Sequence, residues 1–222
     1  MQYLMRRIAL IALLSVALAP LQPATASPDA MEQALNAYAS GDLKAAARGF
    51  TALSARQLPL ADYNLAMMHL RGELPRPSPR EARRLLERAA AQGFVSAEFA
   101  LGQLHEQGVL GKPDLRLAMR WFAAAAAHGS VDAQMAIATA YYLGRGAPAD
   151  MTQAAHWYRE AAKGGDVGAQ YLLASMYETG LGLPTDLRLA RYWYDIAARN
   201  GDEAAPDKRR ELDERLSVGE PS

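Results

Sequence analysis

The sequence predicts an all-α protein, a solenoid of helix pairs stacked one on the next. Three observations predict it. Residues 61–204 repeat with a period of 36 residues and need no gap. Each repeat holds two helix-length segments joined by a loop rich in glycine and proline. Apolar residues of the second segment fall on one helical face. A fixed period of this length is typical of arrays in which each unit packs on its neighbours.

The repeat is seen when the sequence is written in four rows of 36, beginning at residues 61, 97, 133 and 169. The nonamers DLRLAMRWF and DLRLARYWY then lie 72 residues, or two periods, apart. Chance does not keep one register through four rows, so the row is a structural unit. Four columns carry it: Ala61, Ala97, Ala133 and Ala169; Gly72, Gly108, Gly144 and Gly180; Leu85, Trp121, Trp157 and Trp193; Gly93, Gly129, Gly165 and Gly201.

Residues 1–26 are interpreted as a secretory signal peptide. Arg6 and Arg7 precede an apolar run at 8–19, and Ala24-Thr25-Ala26 forms a small-x-small cleavage site. The alternative is a membrane anchor, but this run is short against the ~20 residues needed to span a bilayer. We therefore expect cleavage after Ala26, a mature protein that is periplasmic or secreted, and no membrane insertion after cleavage.

A degenerate helix-pair repeat is expected at residues 27–60, because the segment DLKAAARGF at 42–50 is in register with DLRLAMRWF. Its first helix would span residues 29–39. A C-terminal capping helix and tail are expected at 205–222, since terminal units of repeat arrays need a polar outer face. The four full repeats lie between these ends, at residues 61–96, 97–132, 133–168 and 169–204.

The third row shows how one repeat is predicted to fold. Asp132 is expected to cap the first helix, 133–143, and Gly144 to end it. Asp150 is expected to cap the second helix, which runs to about Lys163. The loop between the two helices carries two glycines and a proline, which is loop chemistry.

Two further local predictions concern the core and a helix cap. Trp157 shares one helical face with Tyr158 and with alanines at 154, 161 and 162, so we expect it to occupy a core position. In the first row, Ser78 and Glu81 match the Ser-x-x-Glu capping box, in which each side chain accepts the other residue's backbone N–H.

Composition excludes several classes of protein. Cysteine is absent, so the chain has no disulfide and no thiol nucleophile, and burial must hold the fold together. Basic and acidic residues balance at 24 each. Loss of Arg6 and Arg7 with the signal peptide leaves 22 basic residues against 24 acidic ones. A dedicated nucleic-acid binder is excluded, because it needs a basic surface.

No metal or cofactor site is predicted. His105-Glu106 begins like the zinc motif His-Glu-x-x-His, but Val109 stands where the second histidine is needed. His69 and His105 share one column, and two histidines without a third ligand do not hold a metal. We interpret both as substitutes for tyrosine. The Gly-x-Gly pairs in the loops follow helices rather than strands, so turn geometry explains them.

The columns Ala-x-x-x-Leu-Gly-x-x-Tyr-x-x-Gly, Gly-x-x-x-Asp and Ala-x-x-Trp-Tyr-x-x-Ala-Ala-x-x-Gly resemble the Sel-one-like repeat family, which is related to tetratricopeptide repeats. The resemblance covers residues 61–204 and departs in the loop, where Leu74 and Leu110 replace the second glycine. It implies a right-handed α-solenoid of antiparallel helix pairs, with first helices on the concave side. It also implies an adaptor, which in exported bacterial members regulates or assembles envelope machinery.

By analogy with tetratricopeptide repeats, columns 3, 7 and 10 of each first helix are predicted to face a concave groove that binds a protein or peptide. Steps of four and three residues keep these columns on one side of a helix, and an aromatic stripe with a polar border suits a peptide. The alternative is that column 3 packs between repeats as core. The predicted residues are Tyr63, Phe99, Met135 and Tyr171 in column 3; Met67, Gln103, Thr139 and Ser175 in column 7; Leu70, Glu106, Tyr142 and Glu178 in column 10.

Three functions remain open on the sequence. The first is a periplasmic or secreted adaptor that binds its partner in the concave groove. The second is a cell-envelope hydrolase acting on wall material or an antibiotic. Because no nucleophile or acid–base set converges in the sequence, the protein is predicted not to be an enzyme. The third is a structural spacer in an envelope complex. An exposed apolar groove separates the first function from the third, since a spacer has no reason to keep one.

Overall fold

The computed structural model describes residues 28–218, and over that range the chain forms eleven α-helices and no strand. Residues 1–27, which include the predicted signal peptide, and residues 219–222 lie outside the described residues. The helices are α1 (Pro28–Ala39), α2 (Leu43–Ser54), α3 (Pro59–Leu70), α4 (Pro79–Ala90), α5 (Val95–Glu106), α6 (Leu115–Ala127), α7 (Val131–Leu143), α8 (Met151–Lys163), α9 (Val167–Thr179), α10 (Leu187–Arg199) and α11 (Ala205–Val218).

Each helix packs mainly on the helix before it and the helix after it in the sequence. The helices form five pairs, from α1–α2 to α9–α10, and α11 packs on α10. Because each unit is stabilised by its sequence neighbours, the chain is an α-solenoid. The predicted fold class is thereby confirmed. None of the helices within residues 28–218 combines the length and the hydropathy needed to cross a bilayer.

Side-chain caps begin most of the helices, although α3 and α5 begin without one, and one predicted cap is wrong. Asp150 caps α8 as expected, its Oδ1 accepting the backbone N–H of Gln153 at 3.0 Å. Asp132 does not cap α7. Ser130 does, its Oγ accepting the N–H of Ala133 at 3.2 Å, and the helix begins at Val131. Both serine and aspartate are good N-cap residues. Ser130 directly follows the turn glycine Gly129, so the helix begins two residues earlier than predicted.

The predicted capping box of α4 is only half formed. The Ser78 hydroxyl accepts the N–H of Glu81 at 3.2 Å, as the motif requires. The Glu81 carboxylate does not return to Ser78 but binds the Arg84 guanidinium at 2.6 and 2.9 Å. The Ser78 N–H donates instead to Nδ1 of His69, at 3.2 Å. A charge-assisted bond to arginine is stronger than a neutral one, so Glu81 is drawn to the solvent side.

The second helices place a large side chain in the core one position after the tryptophan column. Trp157 itself is only half-buried and packs against the edges of two core clusters, so its predicted core position is wrong. One helical residue turns the side chain by about 100°. The face centred on Tyr158, rather than on Trp157, points at the partner helix. The buried members of this column are Phe50, Leu86, Phe122, Tyr158 and Tyr194, each at most 3 % exposed.

Glycine at the second loop column lets the loops of rows three and four lie directly on the preceding second helix. A Cβ on Gly146 would lie 2.6 Å from the carbonyl oxygen of Leu115, and one on Gly182 would lie 2.1 Å from that of Met151. Both glycines have positive φ, which a side chain would strain. In row one Leu74 takes this column, and an open cavity of about 800 Å³ lies between its loop and α2.

Helix α11 continues the repeat beyond the fourth row. Ala205 stands one period after Ala169, so α11 occupies the place of a fifth first helix. Ala205 and Leu212 are fully buried in a cluster that includes Tyr194. Arg209 stands where the preceding first helix has buried Leu173. A polar residue in that column gives the end of the array a face that water can solvate.

Candidate binding groove

The candidate site is a groove across the first helices α3, α5 and α7. It consists of two cavities, of about 340 and 490 Å³, that share Phe99 and Asp132 in their walls. The smaller cavity lies between α5 and α7 with α6 beneath it, and the larger one lies between α3 and α5 and reaches the start of α7. The two cavities together are called the first-helix groove below.

Seven of the twelve residues predicted to face the groove line these two cavities, and all seven come from the first three rows. Two others lie elsewhere. Leu70 packs against the N-terminal core cluster, and Tyr142 is 40 % exposed at the end of α7, outside both cavities. The seven lining residues are Tyr63, Met67, Phe99, Gln103, Glu106, Met135 and Thr139.

Column 3 residues take part in both the core and the groove. Phe99 packs on Phe122 of α6, with ring centroids 5.6 Å apart. Tyr171 packs on Tyr194 of α10 in the same way, at 5.1 Å. The exposed edges of Phe99 and of Tyr63 also line the groove. The two alternatives for this column, groove or core, are therefore not exclusive for Phe99, because its ring packs on α6 and the residue also lines the groove.

The predicted residues of the fourth row, Tyr171, Ser175 and Glu178, line neither cavity. Glu178 accepts hydrogen bonds from the Tyr194 hydroxyl at 3.0 Å and from Arg215 at 2.9 Å. The ammonium group of Lys208 lies 3.6 Å from the same carboxylate. Arg215 and Lys208 belong to α11, which covers this row as a further first helix. Glu178 is thus a structural ion-pair residue that joins α9 to α11.

The floor of the groove is shaped by Gly102. A Cβ built on Gly102 would lie 2.4 Å from two carbons of the Phe122 ring, so the ring occupies the space that alanine fills in the other rows. In row three the equivalent ring carries a hydroxyl, and Tyr158 is tied to Thr139 at 3.3 Å. Phe122 has no such tie and lies over Gly102 instead. The floor between α5 and α7 is therefore apolar.

The rim of the smaller cavity carries more negative than positive charge. Glu106, Asp132 and Asp166 line it together with one cation, Arg145. Arg145 lies 3.5 Å from Glu106 and offsets that carboxylate. Asp166 caps α9 through Oδ1, which accepts the Ala169 N–H at 2.6 Å. Within residues 28–218, the Asp132 side chain has no hydrogen bond or ion pair. Two carboxylates of the rim are therefore left without a cation.

A column of polar side chains, which the sequence reasoning missed, follows the opening alanine of each row: Asp62, Glu98, Gln134 and Gln170. Gln170 makes the fullest set of bonds. It donates to the carbonyl of Ala162 in the preceding row at 3.2 Å and accepts from Asn200 at 2.9 Å. Gln170 thus ties the fourth row to the third, and Gln134 ties the third row to the second through the carbonyl of Ala126. The sequence signals this column by a polar residue that directly follows the opening alanine in all four rows.

The two acidic members of this column each contact a basic side chain. The Asp62 carboxylate, which is fully buried, accepts from Nε of Arg88 at 2.6 Å, and Arg88 also donates to the Ser54 hydroxyl at 2.6 Å. Oε2 of Glu98 lies 2.8 Å from Nδ1 of His128 at the edge of the larger cavity. In row three, Gly164 stands in the column of His128 and has no side chain to act as a partner. Oε1 of Gln134 is buried there and has no partner within the described residues.

His69 and His105 are half-buried near the ends of α3 and α5. Burial lowers the pKa of His69 and of His105, and the nearby Glu81 carboxylate opposes this only in part for His69. A neutral His69 keeps Nδ1 free to accept the Ser78 N–H. In the part of the chain that the structure describes, no three His, Asp or Glu side chains are grouped to hold a metal ion.

Comparison with known proteins identifies the repeat unit. The family model described as Sel1 repeat matches four consecutive segments, at residues 59–94, 95–130, 131–166 and 167–202. These segments begin at the first residues of α3, α5, α7 and α9, two residues before the alanine that opens each row. No curated protein matches the chain.

Two solved structures are similar to the chain. A Sel1 repeat protein from Oxalobacter formigenes is 34 % identical with a TM-score of 0.70, over 75 % of this chain and 49 % of that one. A protective antigen present in uropathogenic Escherichia coli strains, with an SLR fold, is 25 % identical with a TM-score of 0.79, over 88 % of this chain and 43 % of that one. The chain therefore spans less than half the length of either relative.

Proposed function

Since the chain belongs to the Sel1 repeat family, we propose that it is an adaptor that binds a segment of a protein partner in the first-helix groove. Proteins of this family are generally adaptors in protein–protein interactions. The observation that carries the proposal is the open cavity between α5 and α7, whose floor of Phe99, Met119 and Phe122 is bordered by polar side chains. An apolar floor with a polar border suits an extended or helical peptide segment.

Two observations favour an adaptor over the other functions. A structural spacer gains nothing from an apolar cavity that water can enter. A hydrolase that uses histidine as its base needs a free ring nitrogen, and two of the four histidines have one nitrogen engaged in a structural contact. Nδ1 of His69 accepts a backbone N–H, and Nδ1 of His128 binds Glu98. The role proposed is therefore non-enzymatic.

The place of action proposed is the periplasm or the exterior of the cell, in the regulation or assembly of the envelope. This rests on the signal-peptide pattern of residues 1–26, with its Ala24-Thr25-Ala26 cleavage site. Expression of the full chain followed by N-terminal sequencing of the periplasmic fraction tests it. Ser27 is the expected first residue. An intact Met1 in the membrane fraction would contradict both export and cleavage.

Site-directed photo-crosslinking tests the binding surface. A photoreactive phenylalanine analogue is placed at Gln103, which is exposed in the groove, or at Tyr192, which is 51 % exposed on α10. The full chain carrying either residue is irradiated in cells. Adducts with a protein partner are expected from position 103 and not from position 192. Equal adducts from both positions, or adducts from 192 alone, would show that the partner does not enter the groove.

A further inference from the structure

We propose that the segment bound in the first-helix groove is basic, with a lysine or arginine next to a large apolar side chain. This inference rests on the proposed function and adds to it the chemistry of the partner. It is argued from the cavity between α5 and α7, where an apolar floor and a negative rim lie within one space of about 340 Å³.

The floor of this cavity selects an apolar side chain. Phe99, Met119, Phe122 and Met135 present ring and thioether carbons to it. Methionine adapts its shape to an incoming group, and aromatic carbons gain contact area with little loss of entropy. The cavity is large enough for a single large side chain and too small for a folded domain. A protruding residue of a peptide segment fits it.

The rim of the cavity selects a cation beside that residue. Asp132 has no partner within residues 28–218, and Asp166 uses only Oδ1 to cap α9, at 2.6 Å. Arg145 is already 3.5 Å from Glu106 and does not neutralise the other two carboxylates. A lysine or arginine can lay its aliphatic stem along the apolar floor and keep its charged group at these carboxylates.

The negative rim is a local feature rather than a consequence of the overall charge. The whole chain carries 24 basic and 24 acidic residues. An acidic segment in the cavity would meet like charges, and a neutral one would leave the rim carboxylates facing an apolar ligand. Both outcomes weaken binding. Charge complementarity therefore favours the basic segment over the other two.

Parallel selection from a displayed library of random twelve-residue peptides tests the inference. The full chain is compared with the double variant Asp132→Asn, Asp166→Asn, in which asparagine keeps the ability to cap α9. The matched control is Asp150→Asn, which changes a cap on α8 outside the groove. Peptides selected on the wild-type chain are expected to be enriched in lysine or arginine next to an apolar residue. Their affinity should fall at least tenfold on the double variant and stay unchanged on the control.

The outcomes separate the charge inference from the adaptor proposal. If selected peptides show no enrichment in basic residues, or bind the double variant as tightly as the wild type, the proposal that the bound segment is basic is wrong. Binding that is nevertheless lost on Ala136→Trp, which fills the cavity between α5 and α7, would leave the adaptor proposal standing. Selected peptides that are indifferent to both the double variant and Ala136→Trp would contradict binding in that cavity.

Discussion

The ring of Phe122 lies directly over Gly102, so close that a Cβ on Gly102 would be 2.4 Å from two ring carbons. The other rows have alanine in the column of Gly102, and all of those alanines are buried. In rows three and four the aromatic ring of the second helix is held by its hydroxyl, through Thr139 for Tyr158 and through Glu178 for Tyr194. Row two has neither the hydroxyl nor the alanine, and its ring forms the apolar floor of the groove.

Substitution of Gly102 by alanine should destabilise the protein by overpacking, by about 1–3 kcal/mol. Addition of Phe122→Leu should recover much of this loss, because Ala66 and Leu86 stand together in these two columns of row one. Urea unfolding of the wild type, the two single variants and the double variant measures the coupling as a double-mutant cycle. Additive free energies would show that the two residues do not compete for space.

Alanine at Tyr158 should cost more stability than alanine at its neighbour Trp157. Tyr158 is 3 % exposed, and its loss should destabilise the protein by ~3–5 kcal/mol. Trp157 is half-buried, so its removal should cost only about 1–2 kcal/mol, since less of its surface leaves water on folding. Chemical denaturation of the two variants checks the order. If Trp157→Ala destabilised the protein more than Tyr158→Ala, the tryptophan column would be the one at the centre of the core.

The order of these two residues shows what the periodicity could and could not predict. The 36-residue register predicted the helix pairs, because alanine and glycine columns mark packing and turns without reference to tertiary contacts. It did not predict which of two adjacent aromatic columns points inward. Trp157 and Tyr158 are both large and both fit a helical face, and only the direction of the partner helix separates them.

The residues that line the first-helix groove could be predicted from the sequence, whereas the charge of its rim could not. Steps of four and three residues grouped Phe99, Gln103 and Glu106 on one side of α5, and these residues line the cavities. Asp132 and Asp166 come from helix starts of two different rows, so no periodicity brings them together. Glu178 was misplaced because its column faces α11, and a degenerate terminal helix gives little signal of where it packs.

Removal of Arg88 should strongly destabilise the N-terminal half. Arg88→Met leaves the fully buried carboxylate of Asp62 without its cation, and breaking a buried pair in this way costs ~3–5 kcal/mol. The control is Arg84→Met in the same helix. Arg84 pairs with Glu81 at the surface, with side chains 57 % and 39 % exposed, and its loss should cost under ~1 kcal/mol. Similar thermal melts for the two variants would mean that Asp62 does not need its partner.

Acidification should destabilise the fold through His69 and His105. Burial lowers the pKa of both histidines below the ordinary value of about 6.5. The unfolded chain therefore binds protons first as the pH falls, so stability present above pH ~6.5 is lost below it, down to the lowered pKa of the folded state. The melting temperature of the wild type should fall from pH 7.5 to 5.5. The fall should be smaller in His69→Tyr, His105→Tyr, which carries the residue of rows three and four. An unchanged fall would exclude both histidines as the cause.

Deletion of one whole repeat should leave a folded protein that no longer binds. Removal of residues 97–132 joins Ser96 to Ala133, which stands in the same column as Ala97, so α7 can take the place of α5 on α4. Each helix needs only its neighbours, and the shorter chain should melt in one cooperative transition by circular dichroism.

The matched control for that deletion removes half a repeat, residues 97–114. It takes away most of α5 and leaves α6 without a first helix to cover its buried face, so helicity should fall and the chain should aggregate. The whole-repeat deletion also removes Gly102, Phe122 and Asp132, and with them the cavity between α5 and α7. It should therefore fold but lose peptide binding, which separates the requirement for stability from the requirement for function. Equal melts for the two deletions would contradict a 36-residue unit, and peptide binding retained by the whole-repeat deletion would place the site in another row.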